Sequence, residues 1–398
     1  MAHPLAGKAM ALLRSMDPWV IDRQIELTSI PAPPFGEEVR GRRAAELFRE
    51  VGLEDVEVDN EGNVLGMFRG KPDTGSMEEA DGSPLILSAH LDTVFPGETD
   101  VLPRRDGGRI LAPGICDDGR GLAALLALAR VFGELAPPLP SPLLFVATVG
   151  EEGPGDLRGV RHLLSRFPTE RPPKAFVSID GVGVDRIIHR GIGSTRLRIT
   201  CRGPGGHSWT DFGRPNPIHL LGRIITEAQS LILPESPRTT LTVARCGGGT
   251  SINAIPEEAW IEIDLRSEET AILEDLEAGV RAGLEDELAR NAGKQPGSTG
   301  IEVEVLDIGR RPAGITPEHD NLVQAALQAS RALGVEPKLI GSSTDSNIAM
   351  SLEIPAITMG AGGTGGGIHT LGEWFENING PEGILRAFLT VLLFLDAA

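Results

Sequence analysis

Five side chains in this sequence are of the types that could share a pair of metal ions: His90, Asp117, Glu152, Asp180 and His369. Two imidazoles and three carboxylates, with no thiolate among them, suit two Zn2+ ions, or Co2+ or Mn2+ in their place. They divide evenly over two ions, one His and one terminal carboxylate for each, with the third carboxylate bridging. Two such ions roughly 3.5–4 Å apart clamp the attacking and leaving oxygens of a displacement and lower the pKa of a water between them. Asp92 lies two residues beyond His90, on the same side of an extended strand end. A carboxylate there can hold the imidazole's other N–H and fix its tautomer. The adjacent Glu151 and Glu152 cannot both point the same way. One can bind metal while the other takes a proton from the water.

These residues need elements that bring them together, and the hydrophobic pattern supplies them. Residues 85–89, 143–149 and 175–179 are short apolar runs that read as buried strands, and 122–132 and 158–165 read as helices between and after them. The strands end at His90, at Glu151-Glu152 and at Asp180. Ligands of open α/β sheets bind outside the carboxyl ends of the strands, so three strands deliver their chemistry to one rim. Asp117-Asp118 precedes the 122–132 helix, and His369 follows the glycine-rich stretch 360–367 that succeeds an apolar strand at 356–359. Residues 17–52 read as helices broken at Pro31-Ala32-Pro33-Pro34, residues 60–63 as a turn between two short strands, and residues 71–83 as a polar loop.

Near residue 190 the pattern changes. Leu197 and Ile199 alternate with Arg196 and Arg198, and Ile261, Ile263 and Leu265 alternate with Glu262 and Asp264. With helices over 217–233 and 268–290 and further strands at 241–244 and 301–306, the order is β-α-β-β-α-β, a ferredoxin-like unit. The expected architecture is α/β, with a mixed, mostly parallel sheet flanked by helices. The catalytic domain spans 1–189 and 309–398, and the ferredoxin-like domain is inserted at 190–308.

The chain has 398 residues and a net charge of −19, which disfavours nucleic acid and acidic membrane surfaces as partners. Its three cysteines form no CxxC pair, which excludes a Cys-rich zinc site and a disulfide framework. They fit a reducing compartment. With no signal-peptide h-region near the N-terminus and an apolar run at 387–395 too short to span a bilayer, the expected location is cytoplasmic.

Ser88-Ala89-His90-Leu91-Asp92-Thr93-Val94, Gly114-Ile115-Cys116-Asp117-Asp118-Gly119-Arg120-Gly121, Thr148-Val149-Gly150-Glu151-Glu152-Gly153 and the Asp180 segment resemble the M20 metallopeptidases over nearly the whole chain. The 341–347 and 367–373 segments resemble the peptidase T-like branch. The resemblance implies that His90 and Asp180 hold one zinc, that Glu152 and His369 hold the other, and that Asp117 bridges. It makes Glu151 the general base and Asp92 the acid that orients a ligand. Gly203-Pro204-Gly205-Gly206-His207-Ser208 looks like the segment whose histidine reaches the partner subunit's site in a homodimer and stabilises the oxyanion. The Asn253 and Arg266 segments resemble those that bind a substrate carboxylate. Where the family often has Lys after the Asp pair, Gly119-Arg120 stands here. The expected activity is hydrolysis of an amide bond in small peptides. The alternatives are an N-acyl amino acid deacylase and a catalytically silent binding protein on the same scaffold.

Overall fold

The computed structural model describes residues 3–70, 82–291 and 300–397. Most of the polar loop expected over 71–83, residues 71–81, lies outside the described residues. The chain forms two compact units, Met1–Gly191 with Ile315–Ala398, and Ile192–Gly314.

In the first unit, the strands Leu143–Thr148, Leu85–His90, Ala175–Ile179 and Ala356–Met359 lie side by side in that order, all parallel. Glu54–Val58 and Val64–Phe68 extend one edge antiparallel. Arg186–Gly191 extends the other edge antiparallel and pairs in parallel with Lys338–Ser342. The sheet is therefore mixed, and mostly parallel at its centre. Leu85, Leu87 and Ala89 pack into one core with the helices Ala6–Thr28, Glu38–Glu50, Gly119–Leu135 and Gly380–Ala397. Ile86 joins a second core with Val160, Leu163 and Ile348 from Arg158–Ser165 and Ser346–Ser351. Alternate residues thus face two buried layers, which is why the strands read as unbroken apolar runs.

The first helix begins well before residue 17 and carries Pro18 in its interior. Its buried Ala9, Leu13, Met16 and Val20 recur at helical spacing, and that packing outweighs the break a proline normally signals. The pattern also hid a small antiparallel sheet in the order Thr364–Gly366, Trp374–Glu376, Arg109–Leu111, Arg104–Asp106. Its strands are only three residues long, below what alternation can reveal.

The second unit has four antiparallel strands in the order Thr239–Gly248, Glu258–Ser267, Gly193–Arg202, Glu302–Arg311. With helices Pro217–Gln229 and Thr270–Asn291 this is the ferredoxin-like arrangement. Leu197, Ile199, Ile261, Ile263 and Leu265 pack under Leu220, Ile224 and Leu276 of those helices. On the opposite face the strand partners Arg196 and Asp264, and Arg198 and Glu262, form ion pairs at 3.2 and 2.8 Å. None of the described helices is long and apolar enough to cross a membrane.

Phe388, fully buried in the closing helix, stacks at 4.8 Å between ring centroids on Phe132 of the helix that starts beside Asp117. Replacing Phe388 by Ala should cost roughly 3–5 kcal/mol of unfolding free energy. A denaturant titration with an unshifted midpoint would contradict this packing.

Candidate metal centre

Because the four central strands are parallel, their carboxyl ends share one rim. Leu85–His90 ends on His90, Leu143–Thr148 leads into Glu151-Glu152, and Ala175–Ile179 leads into Asp180. The remaining two residues arrive on the small sheet. Its hairpin Thr364–Gly366/Trp374–Glu376 carries His369 in the connecting loop, and Arg109–Leu111 beside it leads into the loop of Asp117. His369 has a positive φ of 64°, a sparsely populated conformation that functional loops often hold. The glycines of the hairpin have a packing reason. A Cβ on Gly363 would stand 2.1 Å from the Phe375 ring, and one on Gly365 2.4 Å from the Cys116 sulfur.

Asp117 is the centre of the group. Its Oδ1 lies 2.9 Å from His90 Nε2 and its Oδ2 3.0 Å from His369 Nε2. His369 Nε2 is also 2.9 Å from Glu152 Oε1. One carboxylate thus serves two imidazoles, one oxygen each. His90, Asp117 and Glu152 offer ligand atoms that all lie within 4.8 Å of one another, a group able to hold a metal ion. Asp180 stands alongside, half-buried, its amide donating to the Met359 carbonyl. Burial raises its carboxyl well above the usual range, and the charges of Asp117, Asp118 and Glu152 add to that.

Asp92 engages its neighbours through both its backbone and its side chain. His90 Nδ1 donates to the Asp92 backbone carbonyl at 3.0 Å, whereas the nearest Asp92 carboxylate oxygen is 3.6 Å away, beyond hydrogen-bond reach. The tautomer is still fixed, leaving Nε2 as the atom that faces Asp117. The Asp92 carboxylate instead accepts the amides of Glu151 at 2.9 Å and Glu152 at 2.8 Å. It therefore holds the backbone of the two glutamates. An extended strand end would place the side chain beside His90, but the turn at Gly150 brings two unsatisfied amides within closer reach.

Two further carboxylates hold the frame and carried no sequence assignment. Glu373, fully buried, accepts the amides of Gly114 at 2.8 Å, Cys116 at 2.7 Å and Asp117 at 3.2 Å, and so fixes the loop that presents Asp117. Burial pushes its carboxyl up to about 7 against those three donors. Asp118 caps the following helix through the Gly121 amide at 2.9 Å. Arg120 is fully buried and donates to the carbonyls of Ala361 and Gly380 at 3.0 Å each, holding the start of the His369 loop. Gly119 has no room for a side chain, because a Cβ there would lie 2.3 Å from the Thr28 hydroxyl and 2.8 Å from the Gly114 carbonyl.

A model of peptidase family M20/M25/M40 matches residues 86–393. The chain belongs to this family. Among curated M20-type relatives it is 28% identical over 290 residues to the cytosol non-specific dipeptidase of Escherichia coli K12, covering 66% of this chain and 57% of that protein. It is 32% identical over 215 residues to the succinyl-diaminopimelate desuccinylase of Paracoccus denitrificans, covering 47% and 55%. The chain thus spans little more than half the length of these two relatives. A tripeptidase structure from Staphylococcus aureus superposes with a TM-score of 0.73 at 22% identity, covering 95% of this chain and 97% of that one, a likeness of fold.

The residues of the second unit singled out from the sequence are dispersed. His207 pairs in a short ladder opposite Ala254, and the Ser208 amide donates to the Asn253 carbonyl at 2.9 Å, so His207 and Asn253 are neighbours and exposed. Arg266 lies at the far end of the next strand, paired in register with Ser194, its guanidinium held by Asp264 at 2.6 Å. The structure does not bring Arg266 to Asn253.

The donor set fits a pair of divalent cations: two imidazoles and a carboxylate excess at one rim, with the nearby Cys116 thiol buried and donating to the Trp374 carbonyl at 3.2 Å. Hydrogen bonds to Asp117 and Glu152 raise His369 to about 10. Burial works to lower His90, yet its carboxylate neighbours raise it well above the ordinary range. An imidazole held in its protonated form by these carboxylates must lose that proton to become a ligand. Binding should release protons near neutral pH, and affinity should strengthen as pH rises toward 10. Calorimetry in buffers of different ionisation enthalpy measures this, and proton-neutral binding would contradict it.

Proposed function

We propose that this protein is a two-metal hydrolase that cuts the amide bond of small peptides, of the aminopeptidase, dipeptidase or tripeptidase kind. The observation that carries the reading is the Asp117 carboxylate, with one oxygen on His90 and the other on His369, and with Glu152 on the second imidazole. We assign His90 and Asp180 to one cation, Glu152 and His369 to the other, and the bridge to Asp117. Zinc is the proposed metal, with Co2+ or Mn2+ able to replace it. Bound there, the cations would polarise the substrate carbonyl and acidify the attacking water.

The remaining steps belong to the chain. Glu151, buried at the rim with its amide held by Asp92, takes the proton of the attacking water and returns it to the leaving amine. His207 donates to the developing oxyanion, supplied by a second copy of the chain in a homodimer built through the inserted unit. The exposed Trp209, Phe212 and Ile252 around it support an apolar contact on that face. Asn253 beside it is assigned to the substrate. Arg266 is retained as a proposed carboxylate ligand only on condition that it exchanges Asp264 for substrate. The three free cysteines fit a cytoplasmic location.

The similarity to a desuccinylase favours a second reading, an N-acyl amino acid deacylase using the same machinery. A panel of di- and tripeptides beside N-acetyl and N-succinyl amino acids, with added Zn2+, Co2+ or Mn2+, separates the two. Turnover of peptides alone supports the first reading, and turnover of acyl amino acids alone replaces it with the second.

Glu151→Gln should lower kcat on the order of 10²–10⁴-fold while metal content stays that of the parent protein. A near-parental rate would remove Glu151 as the base. His207→Ala should lower kcat on the order of 10²–10³-fold with little change in melting temperature. Mixing it with Glu151→Gln should restore activity in mixed dimers; no restoration would refute donation across the dimer.

A further inference from the structure

Asp118 has a larger part in the structure than a helix cap. It is fully buried, and its two oxygens accept three backbone amides from three segments. Oδ2 accepts from His90 at 3.1 Å, while Oδ1 accepts from Gly181 at 3.1 Å and from Gly121 at 2.9 Å. The His90 amide closes one sheet strand, and the Gly181 amide immediately follows Asp180. Gly121 lies in the first turn of the helix that Asp117 precedes. The helix start is pressed into this junction, since a Cβ on Gly121 would lie 2.2 Å from Asp118 Oδ1 and 2.3 Å from the Ile179 carbonyl. The other side of the site is held differently. The Glu152 amide is held by Asp92, and the His369 loop is anchored by Arg120 through Ala361 and Gly380.

We propose that Asp118 is a positioning residue for one half of the centre, setting His90 against Asp180 without itself touching a cation. This rests on the two-metal reading above. A group that acts only as a helix cap would be served by any short polar side chain. The arrangement here needs both oxygens, because one faces His90 and the other faces Gly181 and Gly121. Asp118→Asn keeps one acceptor and turns two donors toward the remaining amides. Asp118→Ser can still cap the helix but is too short to reach all three segments.

The test is zinc titration of the full-length protein after chelation, followed by calorimetry, with thermal melts alongside. The parent should take up two ions. Both Asp118 variants should bind one ion as the parent does and the other on the order of 10–100-fold more weakly. The retained ion should vanish when His369→Ala is added and persist when His90→Ala is added. Parental affinity for both ions, equal weakening of both, or the reverse dependence on the two histidines would overturn the proposal. Failure of the parent to bind two ions would instead refute the two-metal reading. Amide hydrogen exchange of the chelated parent protein supplies a readout that does not depend on the variants folding. The His90 and Gly181 amides should exchange slowly without metal, and exchange at open-peptide rates would overturn the proposal.

Discussion

The constraint on which this structure turns is the packing of like charges. Asp92, Asp117, Asp118, Glu151, Glu152, Asp180 and Glu373 crowd the carboxyl rim of one sheet, and Asp92, Asp118, Glu151, Glu152 and Glu373 are buried. Buried carboxylates are costly unless hydrogen-bonded or paired with cations. The fold meets this in part with backbone amides: eight N–H bonds from strand ends, turns and a helix start are divided among Asp92, Asp118 and Glu373. The consequence appears in Asp118, Asp180 and Glu373, whose carboxyls burial raises above the ordinary range. Divalent cations are the natural counter-charge for what remains.

The buried arginines follow from the same constraint. Arg40 and Arg120 are fully buried but donate to carbonyls rather than carboxylates. Arg40 bonds the Leu91 carbonyl at 2.7 Å and the Ile30 carbonyl at 2.9 Å, between the first helix and the His90–Asp92 segment. Burial lowers it to about 10, while the charges of Asp92, Asp118 and Glu37 oppose that fall. Positive charge is thus placed near the acidic rim without occupying the oxygens that face its interior. The carboxylates remain available to ions, and the loops that carry them are tied by hydrogen bonds, which a site needs if its ligands are to be held before an ion arrives.

Residues whose role follows from their place on a regular element were readable from the sequence. Unbroken apolar strands ending at His90, Glu151-Glu152 and Asp180 revealed the rim, and period-two alternation around Arg196, Arg198, Glu262 and Asp264 revealed the ferredoxin-like unit. Residues whose role depends on tertiary partners were not. Glu373 looked like the end of a loop motif, yet it serves amides more than 250 positions away in the chain. Asp118 was only a residue before a helix, and Arg120 a departure from a pattern. The amides of Glu151 and Glu152 that the Asp92 carboxylate accepts are presented to it only by the folded turn. Asn253 precedes the strand Glu258–Ser267 and Arg266 lies near its far end, because an extended chain separates what a short stretch of sequence seems to join.

Anomalous diffraction at the zinc edge, from a crystal of the protein grown with zinc, tests the shared Asp117 bridge most directly. A two-cation site predicts two peaks flanking that carboxylate about 3.5–4 Å apart, one against His90 and Asp180 and the other against Glu152 and His369. A single peak, or peaks that leave Asp117 unligated, would contradict it.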